Sequence, residues 1–223
     1  MKKSTLEIDS VQKRFNEKVV LTDVYLKCET GDIIGLLGRN GSGKSTLLKI
    51  IFGIQHADNK FIRVDGLVKN KTSKLLQDIS YLPQDNFIPN NFSVRKAVSL
   101  SIKKENIDTF YKDEMIASIK EKYIKELSGG ELRYLEIKLI LSNTSKFVLL
   151  DEPYNGLSPV MAEKTNELIK LNSKNKGIII TDHNYEKVIN VATKLILMKE
   201  GKIHHLKDKM ELIEKGYLSE GML

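Results

Sequence analysis

The chain contains no tryptophan, only four prolines and a single cysteine, Cys28, among its 223 residues. One cysteine excludes an internal disulfide framework and suits a reducing compartment; its plainer role is that of a small strand residue. The scarcity of proline excludes a proline-rich linker, and neither an internal repeat nor a low-complexity stretch is present. No apolar run approaches the length that spans a membrane. The opening Met1-Lys2-Lys3-Ser4-Thr5-Leu6-Glu7 has basic residues without an apolar core behind them, so it does not read as a secretion signal. What remains is ordinary for a globular protein, with 41% hydrophobic and 29% charged residues in one domain with room for two lobes. The formal net charge of +7 could serve nucleic acid or an anionic membrane face, or be a lysine-rich solvated surface.

The most informative stretch is Gly38-Arg39-Asn40-Gly41-Ser42-Gly43-Lys44-Ser45-Thr46. It fits the phosphate-loop pattern of Gly, four residues, then Gly-Lys-Ser/Thr. The apolar run Ile33–Leu37 before it reads as a buried strand, and Leu47–Phe52 after it as a helix. The glycines let the backbone curl with its N–H groups inward. The helix start adds free N–H groups and its dipole. Lys44 places a positive charge on the outer phosphates, and the Ser45 hydroxyl is suited to Mg²⁺.

Leu6–Ile8 alternates like a short strand, and Val19–Leu21 and Val24–Cys28 read as strands of an antiparallel layer. Phe15 is either core or a flat surface on which a purine stacks. Phe61–Val64 is a strand closed by an Asp65-Gly66 turn. Ile79–Leu82 is another, stopped by Pro83 and followed by Gln84, a neutral oxygen ligand or a plain loop residue. From Asp85 to Glu126 strand signals vanish. Ser93 predicts a helix cap, and residues 108–122 predict a second, charged helix.

Ser128-Gly129-Gly130 opens a long apolar segment, placing a hydroxyl and two unencumbered amides at a helix N-terminus, a second anion site. Phe147–Leu150 is a fully apolar strand suited to the middle of a parallel sheet. Asp151 and Glu152 stand at its C-terminal end, where open α/β sheets bind ligands. Asp151 would hold Mg²⁺ and Glu152 would polarise an attacking water. Pro159–Leu171 reads as a helix and Gly177–Thr181 as a further apolar strand. The strand ends in Asp182-His183-Asn184, where His183 is either structural or a donor to a γ-phosphate. Residues 194–198 and 202–204 form a closing hairpin, and a short charged helix follows residue 207. His204-His205 reads as surface rather than as a metal site.

Taken in order, the phosphate loop, Gln84, Leu127-Ser128-Gly129-Gly130-Glu131, Phe147–Glu152 and His183 resemble the ATP-binding subunit of ABC transporters over essentially the whole chain. That resemblance implies an α/β fold: a P-loop NTPase core with a mostly parallel sheet, an antiparallel β layer on the N-terminal side and an inserted helical subdomain. Residues 1–223 would form one ABC ATPase domain, with the helical subdomain at about 85–141. It implies ATP and Mg²⁺ as cofactors. The nucleotide would be held by Gly38, Arg39, Asn40, Gly41, Ser42, Gly43, Lys44, Ser45, Thr46, Gln84, Ser128, Gly129 and Gly130, with Phe15 as the adenine-stacking ring. Ser45, Gln84 and Asp151 would be the metal ligands, and Glu152 and His183 the catalytic pair. The implied partners are an integral-membrane permease and a second copy of the chain, or a paralogous ATPase subunit; no nucleic acid is expected. The implied location is peripheral, on the cytoplasmic face of the inner or plasma membrane. Thr181–Asn184 is similar to ATPases of lipopolysaccharide export and branched-chain amino acid import.

Three positions depart from that pattern. Glu131 stands where Gln is commonest. Ser158 stands where an Asp usually links the two ATP sites. The stretch between Gln84 and Leu127 is short, which implies a trimmed coupling surface. The alternative reading is a soluble, non-transport ABC ATPase acting on nucleic acid or ribosomes. Such proteins usually carry two cassettes or a coiled-coil insertion, and this chain has neither. A GTPase would need Asn-Lys-x-Asp, but Asn175-Lys176 is followed by Gly177 and Ile178.

Overall fold

The computed structural model describes residues 3–69 and 72–222. Two long strands, β1 (Thr5–Phe15) and β2 (Lys18–Glu29), pair antiparallel at the start of the chain. The apolar β3 (Ile33–Leu37) leads through the phosphate loop into α1 (Lys44–Phe52). β4 (Asn59–Val64) and β5 (Leu67–Val68) turn about Asp65 and Gly66, both at positive φ, and complete a four-stranded sheet of order β2-β1-β4-β5. After the single turn α2 (Thr72–Leu75) and the strand β6 (Ile79–Leu82) come α3 (Val94–Ser101), α4 (Ile107–Phe110), α5 (Glu114–Ile119) and α6 (Gly129–Ser142). The chain then alternates: β7 (Phe147–Asp151), α7 (Pro159–Ser173), β8 (Gly177–Thr181), α8 (Tyr185–Val191) and β9 (Lys194–Lys199). It ends with β10 (Lys202–Leu206) and α9 (Glu211–Glu214).

The second sheet has the order β10-β9-β3-β8-β7-β6. It is parallel from β9 to β6, with β10 added antiparallel at one edge. Alternate side chains feed two cores, as the period of two requires. Ile34, Leu36, Phe147, Leu149 and Ile179 face α1 and the antiparallel layer. Ile33, Leu37, Val148, Leu150, Ile178 and Ile180 belong to the core shared with α6, α7 and α8. Burial on both faces is why these strands read as unbroken apolar runs. A third core, with Val94, Phe110, Ile116, Ile119 and Leu135 among its members, packs α3, α4 and α5 against α6. Because β3, β6, β7 and β8 run parallel, the loops that follow them emerge at one edge of the sheet.

Two expectations change. The two short strands expected at residues 19–28 are one strand, β2, with Asp23 at φ 47° where the ladder to β1 shifts register. A short polar side chain tolerates that conformation, so the bulge bends the strand without ending it. The helix expected over residues 108–122 is broken. Asp113 accepts hydrogen bonds from the N–H groups of Met115 and Ile116 at 3.0 and 3.2 Å, so it starts α5 instead of continuing α4. The short α8, capped by Asn184 through the Lys187 N–H, had no expectation attached to it.

Gly177 begins β8 where β2 of the antiparallel layer packs closely against it. A Cβ there would lie 2.7 Å from Phe147 Cδ1, 2.8 Å from Cys28 Sγ and 2.9 Å from the Glu29 carbonyl oxygen. The last of these is backbone and cannot rotate away. Gly177→Ala is therefore expected to destabilise the fold by about 2 kcal/mol, as overpacking does. The corresponding fall in Tm, about 4–8 °C for a chain of this size, is readable by calorimetry. A variant with unchanged Tm would contradict the tight layer contact.

Candidate functional site

The sheet edge carries a cleft of about 580 Å³ lined by Phe15, Val20, Asn40 to Thr46, Gln84, Glu152 and His183. Four of these sequence-predicted groups come from four different loops, after β3, β6, β7 and β8, so the topology brings them together. In the phosphate loop Gly41 and Gly43 have φ of 76° and 106°. A Cβ on Gly43 would come within 2.9 Å of Leu21 Cδ2. Only glycine meets both demands, which is the physical content of the pattern. The first helical bond of α1 runs from the Leu47 N–H to the Gly43 carbonyl. The preceding amides of Lys44, Ser45 and Thr46 therefore belong to the open helix end, with its partial positive charge.

Lys44 is buried, and its ammonium donates to the carbonyls of Gly38 at 2.7 Å and Arg39 at 3.2 Å. Burial draws its pKa below the ordinary lysine value, against the attraction of Glu152, Asp151 and Asp182. A charge so held lies across the mouth of the loop. Arg39 turns to the other side of the loop, where its guanidinium donates to the Gly216 carbonyl at 3.4 Å; it lines a neighbouring groove rather than this cleft.

Asp151 is fully buried at the end of β7. Its Oδ1 accepts from Ser45 at 2.9 Å and from Thr181 at 2.8 Å, and its Oδ2 accepts from Tyr81 at 2.9 Å. Burial pushes the Tyr81 phenol well above its usual pKa, with Asp151 adding to the effect, so Tyr81 remains a donor. Tyr81 and Thr181 were not expected as site residues. The available signal was a polar residue at or next to the end of the apolar strands β8 and β6.

This donor set fits Mg²⁺. The metal takes oxygen ligands at about 2.0–2.1 Å in an octahedron, which places adjacent oxygens about 2.9 Å apart, and Ser45 Oγ and Asp151 Oδ1 are 2.9 Å apart. Among the described residues no cluster of three His, Cys, Asp or Glu could cage a metal alone. Mg²⁺ is usually held by one or two protein oxygens together with substrate phosphates, so the Ser45–Asp151 pair would be enough to hold it.

Glu152 has φ 50°, in the left-handed region. His183 Nδ1 lies 3.7 Å from Glu152 Oε2 and 3.8 Å from Asp182 Oδ1, beyond hydrogen-bond length but within reach of a shared ligand. Phe15 is about half exposed, and the Lys13 ammonium sits over its ring at 4.7 Å from the centroid. The core reading of Phe15 is thereby excluded, and the ring is steadied by a cation–π contact.

Ser128, Gly129 and Gly130 begin α6 and are not among the lining residues of this cleft. Ser128 Oγ accepts from the Glu131 N–H at 3.2 Å, and the Glu131 carboxylate accepts from the Ser128 N–H at 2.7 Å. This capping box leaves the Ser128 hydroxyl proton free to donate elsewhere. A Cβ on Gly129 would meet nothing within 4 Å. Beside Gly129 the tip is therefore open, whereas a Cβ on Gly130 would lie 3.0 Å from Met161 Sδ and 3.2 Å from the Gly156 carbonyl oxygen.

Residues 21–155 match the family model described as ABC transporter. The lipopolysaccharide export system ATP-binding protein LptB of Haemophilus influenzae is 30% identical over 214 residues, covering 90% of this chain and 89% of that one. The ABC transporter ATP-binding protein YtrB of Bacillus subtilis is 30% identical, covering 94% of this chain and 74% of that one. Among solved structures, an ATP-binding subunit of an ABC transporter superposes with TM-score 0.82 at 17% identity, covering 94% and 92% of the two chains. A bacterial Atm1-family ABC exporter with ATP bound superposes with TM-score 0.84 at 16% identity, covering 96% of this chain and 40% of that one, which shows likeness of fold. The chain belongs to the ABC transporter family, as one of its ATP-binding, ATP-hydrolysing subunits.

Proposed function

We propose that this subunit hydrolyses Mg-ATP between two copies arranged head to tail and passes the resulting movement to a separate membrane permease. The observation that carries the reading is the division of the anion-binding groups. One cleft holds Lys44, Ser45, Gln84, Glu152 and His183, while the open tip at Ser128 lies outside it. A second copy, related by a two-fold axis, would bring its Ser128, Gly129 and Gly130 to the γ-phosphate bound at the first copy's loop. Each ATP then closes the dimer, and hydrolysis releases it.

In this reading Phe15 stacks on the base, the loop amides and Lys44 hold the phosphates, and Gln84 reaches the γ-phosphate. Ser45, Asp151 and Gln84 would hold Mg²⁺, which when bound neutralises charge developing on the phosphate oxygens. Glu152 polarises the attacking water, and His183 donates to the γ-phosphate as charge builds on it. We treat residues 85–141 as an inserted helical subdomain. It begins beside Gln84, so a change at the γ-phosphate is carried into it, and Phe87, Leu100 and Tyr123 are exposed on it. Among the described residues no helix is long and apolar enough to cross a membrane. The path for the transported substrate therefore belongs to the permease, with this subunit peripheral on the cytoplasmic face.

Two outcomes are expected. Phe15→Ala weakens ATP and GTP about equally, by roughly five- to a hundredfold in Kd, because stacking is worth about 1–3 kcal/mol and does not distinguish bases; calorimetry showing loss of only one nucleotide would contradict stacking. Tagged protein from detergent-solubilised native membranes should co-purify with a polytopic membrane protein. Leu100→Glu or Phe87→Glu should break that association and leave ATP affinity intact. Recovery solely from the soluble fraction, with salt-released nucleic acid attached, would overturn the transport reading.

A further inference from the structure

α6 is mostly apolar, yet its second turn buries two opposite charges: Arg133 is 3% exposed and Glu136 is 0% exposed. Burying an ion pair is seldom more stable than packing hydrocarbon of the same shape, so its contacts carry the explanation. The Arg133 guanidinium donates from Nη1 to the Pro83 carbonyl at 2.7 Å. From Nη2 it donates to the carbonyls of Asp151 at 2.8 Å and Glu152 at 2.9 Å. Glu136 Oε1 accepts the N–H groups of Phe87 at 2.7 Å and Ile88 at 3.4 Å. Between the two side chains the nearest approach is 3.6 Å, from Arg133 Nη1 to Glu136 Oε2.

Two consequences follow from this geometry. Gln84 is bracketed, with Arg133 holding the residue before it and Glu136 the chain three residues beyond. Glu152, whose left-handed backbone is strained for a side-chain-bearing residue, is clamped on both flanking carbonyls by Arg133 while its N–H bonds the Thr181 carbonyl at 2.8 Å. Strain of this kind persists only where the surroundings over-determine it.

We propose that Arg133, braced by Glu136, is a positioning residue that sets the backbone of Glu152 and of the Gln84 loop. The inference rests on the reading of Glu152 as the water-polarising carboxylate. It makes the helix that presents Ser128 to a phosphate also the holder of the group that directs the water. A planar fork can meet three carbonyls in two directions; a lysine ammonium on a flexible stem cannot.

The test uses the full-length subunit with Arg133→Lys, which keeps the buried charge, Glu136→Gln, which keeps the acceptor for Phe87, and each combined with Glu152→Gln. Arg133→Lys should lower kcat about a hundredfold, the loss typical of a displaced catalytic group. Its Kd for Mg-ATP should stay within about twofold and Glu136→Gln should be intermediate in kcat, while the fall in Tm from the unpaired carbonyls should not scale with the loss of kcat across the two variants. In the Glu152→Gln background Arg133→Lys should add no further loss, because both act through one group. A kcat unchanged in Arg133→Lys, or a loss that adds fully to that of Glu152→Gln, or falls of kcat and Tm in parallel in both variants, overturns the positioning role. Wild-type turnover in Glu152→Gln itself would instead remove the reading of the site. An inactive Glu152→Gln beside a fully active Arg133→Lys removes this inference alone.

Discussion

The site depends on one buried carboxylate. Asp151 is withdrawn from water, and burying an ionised group is costly unless hydrogen bonds compensate. Here three hydroxyls do so, and each comes from a different element: Ser45 from α1, Thr181 from β8 and Tyr81 from β6. The carboxylate thereby fastens the helix behind the phosphate loop to three adjacent strands. It fixes where the loop amides point and how far Lys44 stands from the acidic edge. Of these contacts, the Ser45–Asp151 pair supplies the oxygens a Mg²⁺ ion would use, while Thr181 and Tyr81 hold the carboxylate in place. Stability of the edge and readiness for nucleotide thus meet in the Ser45–Asp151 contact.

The departures from the family pattern are absorbed locally. Glu131 completes the capping box with Ser128 and also pairs with Lys122 at 3.1 Å, so the α6 tip is held in place by an acid as it would be by an amide. Ser158 caps α7 by accepting the Met161 N–H at 3.4 Å, a role that an aspartate would also fill. What serine does not supply is a charge. In the proposed dimer, a link between the two ATP sites would then use other groups, and α6, which carries both the Ser128 tip and Arg133, is the element suited to it.

Local chemistry was legible in the sequence and long-range contact was not. The phosphate loop, Ser128-Gly129-Gly130 and Asp151-Glu152 are contiguous, so their residue types announce the geometry they need. The two-faced apolar strands announced a buried parallel sheet for the same reason. Tyr81 and Thr181 find Asp151 only across strand neighbours, a register that no spacing encodes. Arg133 and Glu136 sat unread within an apolar helix, although two charges there were the signal that something buried required them. Asp113 and Asp23 misled in opposite directions. One side chain broke an expected helix by capping a new one, and the other marked a bulge in a strand that did not stop. Phe15 was open between core and stacking surface until its exposure and the Lys13 contact settled against core.

In the proposed dimer each ATP site is completed by a second copy. The native Cys28 is buried and does not compete in cross-linking. Asn40→Cys at the phosphate loop and Gly129→Cys at the α6 tip, in separate tagged chains mixed in equal amounts, provide the most direct measurement. With Mg-ATP and a mild oxidant, a covalent dimer joining the two different tags should form, and it should be absent without nucleotide. Placing both cysteines in one chain should likewise give dimers joined across the interface. A disulfide closed within a single chain, or no cross-link at saturating Mg-ATP, would contradict the head-to-tail site.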